Sequence, residues 1–136
     1  MKQIIWSGWL LGLLLAGCQD SAPQMPPIKV PHQLLGQVEQ QQAGAQLFFK
    51  HCRACHGTMA EGRTARATSF VPPAPDFVSR SYQQVAPDYL YWRIAKGKQL
   101  EPFRRQGSVM PAWEPHLSET QIWQLVAYLQ ERSAVN

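Results

Sequence analysis

Hydrophobic and polar positions along this chain fall into three regimes. From Ile4 to Ala16 nearly every residue is apolar, with only Ser7, Gly8 and Gly12 interrupting the run. A membrane-spanning helix needs about 20 such residues, so this stretch reads as the core of a secretory signal, with Lys2 as its positive start. Residues 19–40 change character: Pro23, Pro26, Pro27 and Pro31 stand among glutamines, a linker composition. Such a tether would reach ~25 Å as a random coil and ~70 Å if extended as polyproline II.

Beyond the tether the apolar residues recur at helical spacing. A first helix is expected over Gln40–Cys52, with Leu47 and Phe48 on its apolar face and Gly44 about one turn ahead. Glycine inside a helix costs stability, so Gly44 suggests a close helix contact. A second helix is expected to begin at Pro87, followed by Asp88, both suited to a first turn. Leu90, Tyr91 and Ile94 share a face, and Gly97 is placed to end the helix. Trp92 points to another side. The third helix has the clearest signals. Ser118 and Gln121 form a capping box, and Leu117 and Ile122 occupy the positions of a hydrophobic staple. Ile122, Leu125, Val126 and Leu129 then repeat every three or four residues. An irregular stretch with Pro72, Pro73 and Pro75 separates the first two helices. No useful β-alternation or internal repeat is present, so the expected class is all-α.

Chemistry enters at Cys52-Arg53-Ala54-Cys55-His56. Two cysteines three apart, with a histidine directly after the second, form the attachment signature of c-type haem. The two thiols add across the haem vinyl groups as thioethers, and the adjacent imidazole reaches the iron from the tethered side. A domain of about 90 residues is marginal by itself, and a covalent haem gives its core an apolar plate to close around. A thioredoxin-type site would need strand-helix alternation, and zinc a second ligand pair; neither is evident.

The iron then needs a sixth ligand. Met1 leaves with the leader, Met25 is in the tether, and Met59 is too near the attachment motif to cross the haem. Met110 remains, in a loop stiffened by Pro111. A thioether opposite histidine raises the reduction potential. His116 is the rival ligand but reads as a surface residue. His51 should point off another helix face, and His32 lies in the tether.

The remaining cysteine ends Leu15-Ala16-Gly17-Cys18, which resembles the lipobox of bacterial lipoproteins. In that family the cysteine is acylated and becomes the first residue of the mature protein, and several acyl chains anchor stably. The organisation is then a signal peptide over 1–17, a lipidated Cys18 with its tether over 18–40, and a folded domain over 41–136. Gln19 directly after Cys18, with Asp20 one later, leans towards outer-membrane sorting. The formal charge is +4, from 13 basic and 9 acidic residues. Loss of Lys2 and addition of two haem propionates bring the holoprotein close to neutrality. That excludes an argument for nucleic acid. Arg104-Arg105, with Lys96 and Lys98, reads as a solvated face.

Gly44-Ala45-Gln46-Leu47-Phe48, the Cys52–Gly57 motif, Met110-Pro111-Ala112-Trp113 and Trp123–Leu129 together resemble bacterial class I c-type cytochromes of the mono-haem kind, in the family's order. The resemblance implies a small helical bundle wrapped around one covalent haem c. It implies that Gly44 and Phe48 pack against the last helix near Tyr128. It implies that a carbonyl from Pro72 or Pro73 orients His56, and that Phe48, Leu90, Ile94 and Trp113 line the haem pocket. One departure is the loop Gly57-Thr58-Met59-Ala60-Glu61-Gly62, where family members often show two spaced glycines sooner.

The implied function is single-electron transfer between redox-protein partners, through His56/Met110-ligated iron, on the periplasmic side of a bacterial membrane. No small-molecule substrate and no enzymatic activity are expected. The alternatives are a small peroxidase-like enzyme, which would need an open sixth site, and a fixed haem subunit of a larger respiratory complex.

Overall fold

The computed structural model describes residues 24–134. The signal run and Cys18 therefore lie outside the described residues. Within them the regular elements are α1 (His32–Leu35), α2 (Val38–His51), α3 (Arg53–His56), α4 (Ala65–Thr68), a 3-10 turn (Arg80–Gln84), α5 (Pro87–Lys96) and α6 (Glu119–Ala134), with no strand among them. The fold is all-α, in keeping with a small bundle.

The long helices begin and end where side-chain chemistry dictates. Pro87 opens α5, Asp88 sits in its first turn, and Gly97 closes it at φ +63°. At α6 the capping box is complete. The Ser118 amide donates to Gln121 Oε1 at 2.9 Å, and the Gln121 amide donates to Ser118 Oγ at 3.3 Å. Each satisfies a donor that the helix leaves unpaired. Leu117 and Ile122, the staple pair, are both buried.

Helices α2 and α6 form the main crossing of the bundle. Gly44 is what lets them approach. A Cβ there would collide with the Gln124 carbonyl oxygen and lie 2.9 Å from Tyr128 Cβ. The Phe48 and Tyr128 rings meet at 5.2 Å, and Gln124 Nε2 donates to Gln40 Oε1 at 2.8 Å. Helix α5 packs on another side of α6, with Tyr91 stacked on Trp123 at 4.4 Å. Phe48, Leu90, Ile94, Ile122, Leu125, Val126 and Leu129 make one buried cluster. A large apolar side chain contributes roughly 1.5–3 kcal/mol when fully buried. Trp92 finds its place elsewhere on α5: it is buried, with the Arg93 guanidinium 4.2 Å from its ring.

One boundary differs from the sequence expectation. The packed body does not start at residue 41. Ile28, Val30, Leu34 and Leu35 already pack against the core cluster, and α1 lies on α6. Four apolar residues, two on each side of Pro31, are enough to cover a helix flank, although the segment's composition reads as linker.

Candidate functional site

The attachment motif is presented by a break between two helices. Helix α2 ends as the Cys52 amide donates to Phe48 O at 2.8 Å, and the single turn of α3 follows at once. The amides of Cys55 and His56 donate back to Cys52 O at 3.1 and 2.9 Å. This turn brings both thiols and His56 to the wall of one cavity of about 610 Å³, partly open to solvent. Both thiols are free, without a disulfide. After His56 the chain reverses at Gly57, φ +66°, where a Cβ would collide with the Gly62 carbonyl. The unusual 57–62 loop closes on itself: the Gly62 amide donates to Thr58 O at 3.0 Å, and the Thr58 hydroxyl donates to Glu61 at 3.0 Å. Thr64 Oγ1 donates to Cys55 O at 3.1 Å, pinning the motif from the far side of that loop.

His56 is buried, and its Nδ1 is 3.2 Å from Pro75 O. A carbonyl only accepts, so Nδ1 carries the proton and Nε2 keeps its lone pair. Burial, the largest cause, holds the imidazole below its ordinary pKa; the Pro75 carbonyl opposes, and Arg132 and Lys98 add to the lowering. The ring is therefore a neutral donor at pH 7, as metal ligation requires. The carbonyl comes from Pro75 rather than from Pro72 or Pro73, the pair anticipated from the resemblance. Phe77, two residues beyond Pro75, packs its ring 4.7 Å from the imidazole, and Ala74 on the other side of Pro75 is held by the Arg63 guanidinium and by the Ala67 carbonyl. Pro72 and Pro73 instead line the cavity.

Met110 reaches the same cavity from the loop after α5. That loop is strapped to the end of α5. Met110 O accepts from the Lys98 amide at 3.1 Å and from Gln99 Nε2 at 2.9 Å, and the Trp113 amide donates to Ile94 O and Ala95 O, both at 3.1 Å. Gly97 makes the approach possible, since a Cβ there would lie 2.7 Å from the Ala112 amide nitrogen and closer still to the Pro111 carbonyl.

A smaller apolar cavity of about 280 Å³ adjoins the first and shares Cys52, His56, Met110 and Trp113 in its walls. Phe48, Phe77, Ile94, Leu125 and Leu129 complete it. Leu90 lines neither cavity. It lies one turn before Ile94 on α5 and belongs to the buried core. His51 does line the main cavity, with its ring 5.2 Å from Trp113. It follows Phe48 by three residues and so shares that helix face, contrary to the sequence expectation. His116 is exposed and packs edge-on against Trp113.

The donor set suits a covalent haem. Two thiols and an imidazole stand together on one wall, a thioether enters from the loop after α5, and the lining is mostly apolar, as a haem face requires. Burial, then Cys55, pushes the Cys52 thiol up to about 12. A thiol so reluctant to ionise is a poor redox nucleophile, which argues against a thioredoxin-type dithiol. No group of three His, Cys, Asp or Glu that could hold a bare metal ion occurs among the described residues.

Lys98, read from the sequence as part of a solvated face, instead lines the cavity. A second contributor had no sequence expectation. Arg132, on the last turn of α6, is fully buried and donates to the carbonyls of His56, Gly57 and Thr58. Its only signal in the chain is position: it follows Leu125 and Leu129 on the apolar stripe, where a charge is out of place.

Comparison with known proteins agrees with this geometry. The family model described as cytochrome c oxidase, cbb3-type, subunit III matches residues 39–129. No curated protein matches the chain.

Proposed function

The chain belongs to the cytochrome c oxidase, cbb3-type, subunit III family, a class I c-type cytochrome with covalent haem c and a role in electron transfer, and from that premise we propose a membrane-tethered carrier of single electrons with closed His56/Met110 ligation. Convergence of Cys52, Cys55, His56 and Met110 on one cavity carries this reading.

Bound haem supplies an iron couple that changes by one electron. The protein's own groups do the rest. Cys52 and Cys55 would hold the haem as thioethers. His56 offers Nε2, with its tautomer set by Pro75. Met110 offers its sulfur from a loop held at both ends, by Lys98 and Gln99 on one side and by the Trp113 amide on the other. A soft thioether paired with imidazole would favour the reduced state. With both side chains kept as ligands, the surrounding protein would need little rearrangement, and a substrate would find no open position.

Lipidation of Cys18 would anchor the domain. Because packing already begins at Ile28, the free leash is shorter than composition suggests. The chain between Cys18 and Ile28 spans at most about 35 Å fully extended. This favours partners on or in the same membrane. No helix among the described residues is long and apolar enough to cross a membrane.

The ferric visible spectrum of the purified protein tests the reading. A low-spin spectrum with a thioether-to-iron band at the red edge is expected, whereas a high-spin spectrum would favour an open, peroxidase-like iron. The second reading is a fixed haem subunit of an oxidase, which the family's description favours. Co-purification in a stoichiometric, salt-resistant complex would select it.

A further inference from the structure

A buried guanidinium is expensive to desolvate, and Arg132 is 0% exposed. Its contacts show where that cost is recovered. Nη2 donates to Thr58 O at 2.7 Å and to His56 O at 3.2 Å, and Nη1 reaches Gly57 O at 3.4 Å. These three consecutive carbonyls belong to the last residue of α3 and the two residues that follow it. The Arg132 Cζ also lies 4.8 Å from the centroid of the Phe48 ring. Nε has no partner, and no carboxylate lies within ion-pair distance among the described residues; the Tyr128 hydroxyl and, from further away, Asp76 act on the charge. The positive charge behind His56 is thus only partly offset.

We infer that Arg132 is a positioning residue for His56 and, by its fixed charge, raises the reduction potential of the iron that His56 ligates. The fork ties the backbone of the ligand residue to α6. The ferric state carries one more positive charge than the ferrous, so a buried cation nearby disfavours it. Arg132 Cζ lies within about 11 Å of the His56 ring, since each is 4.8 and 6.3 Å from the Phe48 centroid; at an effective dielectric constant near 20 a unit charge there shifts an equilibrium roughly tenfold.

The inference rests on His56 as axial ligand. It is tested on the full-length holoprotein with Arg132→Met, Arg132→Gln and Arg132→Lys. At the wild-type midpoint, the ferrous-to-ferric ratio should fall about tenfold in the Met and Gln variants, equivalent to ~59 mV for one electron. It should stay within about threefold of wild type in the Lys variant, which keeps the charge. An unchanged ratio in neutral variants with intact spectra overturns the inference and leaves Arg132 a purely structural clamp. If neutral variants yield no holoprotein, NMR of the wild type decides. Slowly exchanging, paramagnetically shifted guanidinium protons of Arg132 in the ferric state support the arrangement; freely exchanging, unshifted ones overturn it. Failure of the His56 assignment would show separately, as loss of imidazole-ligated character in the wild-type spectrum.

Discussion

Gly44→Ala reverses the usual sign of a helical glycine substitution. In an unobstructed helix, alanine stabilises by about 1 kcal/mol over glycine. Here the new methyl would overlap the Gln124 carbonyl group, with its carbon at 2.6 Å, and crowd Tyr128 Cβ at 2.9 Å. The obstacle is backbone, which cannot swing aside as a side chain would, so α2 and α6 must part. Overpacking of this kind costs about 1–3 kcal/mol. Parting also stretches the 2.8 Å Gln40–Gln124 hydrogen bond, at about 0.5–1.5 kcal/mol. It loosens the Phe48–Tyr128 ring contact as well, at a further ~0.5–1.5 kcal/mol. Against the propensity gain, the net expectation is a loss of about 1–5 kcal/mol, and each kcal/mol lowers Tm by about 4–8 °C for a domain of this size. Urea unfolding of the holoprotein, followed by far-UV circular dichroism, measures it. Gly36→Ala is the control, because nothing lies within 4 Å of a Cβ there. If Gly44→Ala stabilises the protein as an ordinary helical glycine substitution would, the close crossing of α2 and α6 is wrong.

Other outcomes follow from the same structure. Met110→Ala should lower the midpoint potential and let azide or imidazole bind the ferric iron; an unchanged potential refutes thioether ligation. Cys18→Ser should release the domain from membranes, and retention after detergent-free washing refutes lipid anchoring. Ser118→Ala should cost about 1 kcal/mol in urea unfolding by removing one half of the α6 capping box, and a loss below 0.3 kcal/mol, in the range of about 0–0.3, would mean the cap is not formed in solution. The haem-free chain should lose cooperative unfolding, because its two cavities take up the centre of the fold; a sharp transition in the apoprotein would contradict this.

The helices were legible because their signals are local. Pro87 and Gly97 bound α5, Ser118 and Gln121 start α6, and each acts within one turn of its own position. Gly44 was legible as a close contact, and the resemblance directed it to the last helix near Tyr128; the Gln124 carbonyl as the nearest obstacle emerged only in the fold. The 28–35 segment was misread because composition reports average polarity, whereas docking needs only a few apolar residues facing a receptive flank. His51 was misplaced although its offset from Phe48 was available in the chain.

By itself the chain determined the cofactor chemistry and the helical class, because covalent attachment and helix formation depend on neighbours a few positions apart. Cys52, Cys55 and His56 need no tertiary partner to be recognised. Tertiary structure decided what surrounds them. It chose the Pro75 carbonyl over those of Pro72 and Pro73, because all three prolines offer the same acceptor and only the folded path of the segment sets which one faces Nδ1. It brought Arg132 from the far end of the chain onto the His56, Gly57 and Thr58 carbonyls. A contact across more than seventy residues leaves no periodic trace, since it depends on where two helices cross and not on spacing along either one.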